Sequence, residues 1–118
     1  MKLYASPLQG FTEAPWRNIH HELFGGIDAY YTPFVRVEKG EFRNKDIRDI
    51  EKENNKVTCL IPQLIASTPA ELEKLVGLFL ERGYREADIT TWVVRFRCLP
   101  CGTRAPVFCL IRQRLKCF

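Results

Sequence analysis

A chain of 118 residues with 46% hydrophobic and 27% charged side chains has room for one domain with a genuine core and too little for two, and that composition excludes wholesale disorder and fibrous architecture. No apolar run approaches the roughly 20 residues of a membrane span, and the start MKLYASPLQGFTEAPW has no continuous apolar segment of secretory type, so the expectation is a cytoplasmic protein with reduced thiols. The net charge of +4 belongs to the end of the chain: residues 1–89 hold 12 basic against 14 acidic side chains, whereas Arg95, Arg97, Arg104, Arg112, Arg114 and Lys116 have no acid among them from Thr90 onward.

The alternation in KLYASP, closed by Pro7, reads as a short strand, followed by the loop LQGFTE. Thr12 is placed as the N-cap of a helix over EAPWRNIHHELF, with Pro15 in its first turn and Gly25 and Gly26 ending it. IDAYYTPF is a second strand with Pro33 at its end. RVEKGEFRNKDIRDIEKENNK, residues 36–56, mixes both charge signs and reads as a mostly surface, solvated excursion with about one helical turn.

VTCLIPQLIAS is apolar with little alternation, which fits a strand buried on both faces of a parallel sheet. Ser67 or Thr68 then caps a helix over PAELEKLVGLFLERG, with Leu72, Leu75, Val76, Leu78, Phe79 and Leu80 on its apolar face and Gly83 at its C-terminus. READI opens a fourth strand. The order is the grammar of a parallel α/β fold.

After Asp88 the grammar breaks. TTWVVRFRCLPCGTRAPVFCLIRQRLKCF has no acid and no helix period, and it holds four of the five cysteines. Cys98 and Cys101 form a C-x-x-C, but Cys109 and Cys117 lie too far apart, with no His near them, to complete a zinc knuckle. Pro100 and Gly102 disfavour the helix start that a redox pair needs. His20 and His21 are adjacent, point about 100° apart on a helix, and cannot chelate together. No metal site is expected.

YASPLQGFTEAPWR resembles the opening signature of the tRNA-dihydrouridine synthases, A-P-M-x-G-x-T-x-x-x-[FW]-R, with Pro7, Gly10, Thr12, Trp16 and Arg17 in register and Leu8 in the usual Met position. In CLIPQLIASTPAEL, Gln63 and Pro69 fall on the family's Q-[IL]-x-G/A-x-x-P at the end of the third strand. The resemblance covers residues 2–89. It implies an α/β fold, the N-terminal part of a TIM (β/α)8 barrel that binds FMN and is incomplete here, with FMN lying across the C-terminal ends of the strands. Pro7, Leu8 and Gln9 would border the flavin ring through backbone groups, and Gln63 would meet its polar edge. It also implies NADPH as reductant, tRNA as partner, and reduction of uridine to dihydrouridine. Read from the residues alone, the same positions are an ordinary strand-to-helix turn and a satisfied polar group.

After A-D-I the family continues N-x-G-C-P, whose Cys is the general acid. This chain reads Thr90-Thr91-Trp92-Val93-Val94-Arg95 instead. One base away the motif can be written with codons that the observed residues permit: Thr91 to Arg95 back-translated as ACT TGG GTT GTC CGT, entered one base earlier from an A, reads AAC TTG GGT TGT CCG, or N-L-G-C-P. The Gly is forced, because Trp92 is TGG and Val93 begins GT. Residues 1–89 are therefore expected to be the N-terminal βα units of the barrel, and residues 90–118 a basic, Cys-rich, out-of-frame tail rather than a native domain. The catalytic Cys is lost, so no catalytic residue is assigned. A barrel needs roughly 250 residues, so the fragment is expected to be inactive and to aggregate or self-associate. The competing readings are a small nucleic-acid-binding module that uses the basic tail and the N-terminal part of another flavin-dependent barrel oxidoreductase.

Overall fold

The computed structural model describes residues 1–93 and 109–116, with side chains through Ile89. Strands β1 (Tyr4–Ala5), β2 (Ala29–Val35), β5 (Leu60–Ala66) and β6 (Glu86–Val93) lie side by side in chain order and pair in parallel. Helix α1 (Ala14–Leu23) links β1 to β2, and α3 (Pro69–Glu81) links β5 to β6. Between β2 and β5 come a hairpin, β3 (Val37–Glu38) with β4 (Glu41–Phe42), then helix α2 (Asn44–Ile50) and a 3₁₀ turn, Lys52–Asn54. Strand β7 (Cys109–Lys116) adds to the β6 edge antiparallel, over the whole of Glu86–Val93. The strand thus runs through the 89/90 boundary without interruption. Cys98 and Cys101 lie outside the described residues.

The unit is an α/β repeat, β-α-β-α-β-α-β, and among the described residues the sheet does not close into a barrel. Residues 36–56 hold the largest correction to the sequence reading: they are mostly exposed or half-buried, as expected of a surface excursion, but they also supply the second helix of the repeat. Ile50 is fully buried, and it joins Val35, Leu64, Leu75, Leu78, Phe79, Tyr84, Ala87 and Ile89 in the layer between sheet and helices. Several of the charges that suggested solvent are paired: Arg43 forks onto Asp46 through Nε (2.9 Å) and an NH2 nitrogen (2.8 Å), and Arg82 Nε donates to Glu51 (3.2 Å).

Helix α3 follows its sequence signals. The Thr68 hydroxyl accepts from Glu71 N–H (3.3 Å), and Pro69 opens the first turn. At its other end Gly83 takes φ +76°, with Gly83 N–H on Leu80 O and Tyr84 N–H on Phe79 O, both 2.9 Å. That is a Schellman closure, and the edge-on contact of Phe79 with Tyr84 (6.2 Å) supplies its hydrophobic clasp. Leu80 departs from the expected apolar face and is half exposed.

Pro33 sits inside β2 rather than at its end. The ladder to β5 slips between Tyr31 and Phe34, forming a bulge where a residue without an N–H does no harm. Buried Thr32 fills the gap: its Oγ1 accepts Gln63 N–H (3.0 Å) and donates to Pro33 O (2.9 Å). Alternation then assigns the two faces of the sheet. Leu64, Ala66, Ala87 and Ile89 meet the helices, while Ala29, Tyr31 and Ile61 cluster on the opposite face, which Gln63 and Asp88 share.

Candidate functional site

Because β1, β2, β5 and β6 run the same way, the segments after β1, β2 and β5 gather at one edge of the sheet. The segment after β1 is a knot. Phe11 N–H and Thr12 N–H both donate to Leu8 O (3.0 and 3.1 Å), and Leu8 N–H donates to Thr12 Oγ1 (2.8 Å). Gly10, at φ +84°, makes the tight reversal possible without strain. Thr12 is therefore not the helix cap expected from the sequence. The helix starts two residues later, after Glu13, whose side chain makes no cap, and Asp49 of α2 accepts Ala14 N–H (2.7 Å) in its place.

Arg17, with no exposed surface, locks the knot to α2. One guanidinium nitrogen donates to Thr12 O (2.8 Å) and Asp49 Oδ2 (3.1 Å). The other donates to Asp49 O (2.8 Å), Asp49 Oδ1 (2.9 Å) and Asn55 Oδ1 (2.8 Å), and Nε reaches Asn55 Oδ1 at 3.2 Å. Gly10, Thr12 and Arg17 thus have a common task, which is to fix the shape of Pro7–Thr12.

The knot leaves Leu8 and Gln9 exposed and Pro7 half-buried. Gln9 Oε1 accepts Phe34 N–H (3.0 Å) just past the β2 bulge. Phe34 is in register with Gln63, and Gln63 with Asp88. Gln63 lies at the middle of β5, not at its end; its side chain is buried, and Nε2 donates to Asp88 Oδ2 at 2.6 Å. The structure thus brings Gln9, Phe34, Gln63 and Asp88 into a row across adjacent strands. Asp88 was missed in the sequence. The signal for it was an acid between Ala87 and Ile89 in a strand, which alternation turns away from the helices.

Among the described residues no three His, Cys, Asp or Glu side chains come together as metal ligands, and no helix is long and apolar enough to cross a membrane. His20 Nδ1 meets the Tyr30 hydroxyl at 3.0 Å, and its ring stacks on Trp16 at 4.7 Å. His21 Nε2 approaches Thr58 Oγ1 at 3.4 Å. The two rings therefore make separate contacts. Burial pushes the Tyr30 phenol up from its ordinary value.

A parallel βα repeat that turns Gln63 and Asp88 to the sheet face away from its helices has the form of the first part of a (β/α)8-barrel enzyme. The family model for dihydrouridine synthases (Dus) matches residues 3–91. The chain belongs to the dihydrouridine synthase family, whose barrel enzymes reduce uridine in tRNA with FMN. Neither the curated proteins nor the solved structures compared with it give a match. The residues present fit a flavin ring in kind: an amide oxygen from Gln63, an amide nitrogen from Gln9, and the backbone of a rigid turn beside them.

Proposed function

We propose that residues 1–89 are one flank of the flavin site of a tRNA-dihydrouridine synthase, with Pro7, Leu8 and Gln9 bordering the ring and Gln63 meeting its polar edge. The observation that carries this is the row Gln9–Phe34–Gln63, which joins the two family motifs, distant in sequence, by a hydrogen bond and a strand register. When bound, FMN would supply the hydride for uridine reduction, with NADPH as its source. The role of these residues is to orient the ring and hold water away from one face.

The second part of the proposal concerns the tail. Residues from Thr90 onward are an out-of-frame translation, so the general-acid Cys of the family is missing and the chain is inactive alone. The family match stopping at residue 91 supports this. The exposed stripe Trp16, Ile19 and Leu23 on α1, with Phe24 and the short β1 edge beside it, supports self-association of a cytoplasmic fragment.

FMN titrated into the full chain is expected to show saturable quenching of flavin fluorescence, weakened in Gln63→Ala. Absence of quenching at millimolar FMN would refute the flavin reading. With tRNA and NADPH the chain is expected to form no dihydrouridine, and formation of it would refute the inactivity. Resequencing the locus tests the tail: codons for Thr91–Phe118 that cannot encode the shifted peptide would end the frameshift reading. Size-exclusion chromatography showing a stable monomer would end the proposal of self-association.

A further inference from the structure

The half-site holds two side-chain amides, and in each the structure settles which end is offered to a ligand. A backbone N–H can only donate, so Gln9 must turn Oε1 to Phe34 N–H (3.0 Å), and Nε2 is the end left over. A carboxylate can only accept, so Gln63 must turn Nε2 to Asp88 (2.6 Å), and Oε1 is the end left over among the described residues. Gln63 is 5% exposed and Asp88 3%, so a flipped amide would set two oxygens against each other out of reach of water. Gln9 is therefore a fixed donor and Gln63 a fixed acceptor.

We propose that Asp88 is a positioning residue that makes Gln63 an acceptor, and that the pair of amides thereby selects a cyclic imide. The ring N–H would meet Gln63 Oε1 and a flanking carbonyl would meet Gln9 Nε2. This rests on the flavin reading of the site and adds to it the ring edge recognised and the residue that enforces the choice. Two ligands of the reaction carry an imide, the flavin ring and uracil, and the flavin is the one assigned to Gln63.

The test uses two ligand pairs that differ only at the imide N–H: lumiflavin against 3-methyllumiflavin, and uridine against 3-methyluridine. Binding of each to the full chain is measured by fluorescence or by amide chemical shifts. Wild type is expected to prefer lumiflavin at least tenfold over its methylated form. In Asp88→Asn, whose amide can satisfy either end of Gln63, that preference is expected to fall to twofold or less. Equal binding of lumiflavin and 3-methyllumiflavin by wild type would overturn the inference and leave the flavin reading standing. Discrimination in the uridine pair alone would keep imide selection and refute the flavin assignment, and failure of all four to bind would overturn both. The comparison within wild type decides even where the variant does not fold. A purely structural Asp88 would change all affinities together and leave the preference unmoved.

Discussion

Replacing Asp49 by Ala removes three hydrogen bonds at once: the cap on Ala14 N–H and both carboxylate contacts to Arg17. What remains around Arg17 is neutral, namely Thr12 O, Asp49 O and Asn55 Oδ1. Arg17 has no exposed surface, and the Asp49 side chain is only 10% exposed, so water cannot replace the lost countercharge. Removing one partner of such a pair costs about 3–5 kcal/mol, and a lost helix cap adds about 1 kcal/mol. Against a total stability of about 5–15 kcal/mol for a domain, the variant keeps little of its margin.

Pulse proteolysis across a urea series, on full chain at sub-micromolar concentration, reads this without interference from self-association. With a urea slope of about 1–3 kcal/mol per molar, the midpoint is expected to fall by at least about 1 M, or protection to vanish even without urea. Asp49→Asn keeps an acceptor for Ala14 N–H and loses only the charge, so it should fall between wild type and Asp49→Ala. In a cycle with Arg17→Met, the double variant should lose at least about 1 kcal/mol less than the two single losses combined. A cost below about 1 kcal/mol for Asp49→Ala, or strict additivity, would refute the claim that this pair fixes the knot.

The Tyr84 hydroxyl donates to Ile50 O at the end of α2, and burial pushes the phenol from 10.0 up to about 12. The folded state keeps that proton after the unfolded chain has lost it, so the Tyr84 contribution is intact below about pH 10 and is lost as pH rises towards 12, on the order of 2 kcal/mol. Urea midpoints of wild type and Tyr84→Phe should converge over that window, and a constant gap would contradict this. Gly77 lies inside α3 with open space where a Cβ would stand, so Gly77→Ala should stabilise by about 0.5–1 kcal/mol. Gly83→Ala should destabilise by about 1–2 kcal/mol, because φ is +76° and the new Cβ would meet Lys52 Nζ at 3.0 Å; opposite signs in the same denaturation assay are the check. Thr12→Val leaves Leu8 N–H without its acceptor, at a cost of about 1–3 kcal/mol, and amide exchange at Leu8 should quicken well beyond that at Leu75.

The elements readable in the sequence were those whose cause is local. Thr68, Pro69 and Gly83 bound α3 by contacts within a few residues of themselves, and the apolar run into β5 is buried on both faces as its lack of alternation implied. Helix α2 was unreadable for the opposite reason. Its sequence, NKDIRDI, holds two apolar residues among charges, and its burial depends on partners 31 to 38 residues away in sequence: Arg17 for Asp49 and Asn55, Arg82 for Glu51. Thr12 misled in the same way, since a hydroxyl before a helix is a cap by local rules, whereas here the cap came from another helix and freed Thr12 to close the turn on Leu8.

That division also bears on what the family signature certifies. Gly10, Thr12 and Arg17 are accounted for by the backbone conformation at φ +84°, the Leu8 turn and a buried ion pair; none of them needs a cofactor to explain it. Gln9 and Gln63 are different, because a buried or pinned amide costs side-chain freedom and, among the described residues, each spends only one end on the protein. A match in the first group shows that the loop has the family's shape, and it would hold equally in a chain that cannot turn over. In the proposed site the chemistry would be carried by the two amides and the polarity that Phe34 and Asp88 impose on them. Asp88 stands two residues before Thr90, so a change of frame at that point would leave the proposed imide-selecting row intact while removing the cysteine that the family places after it.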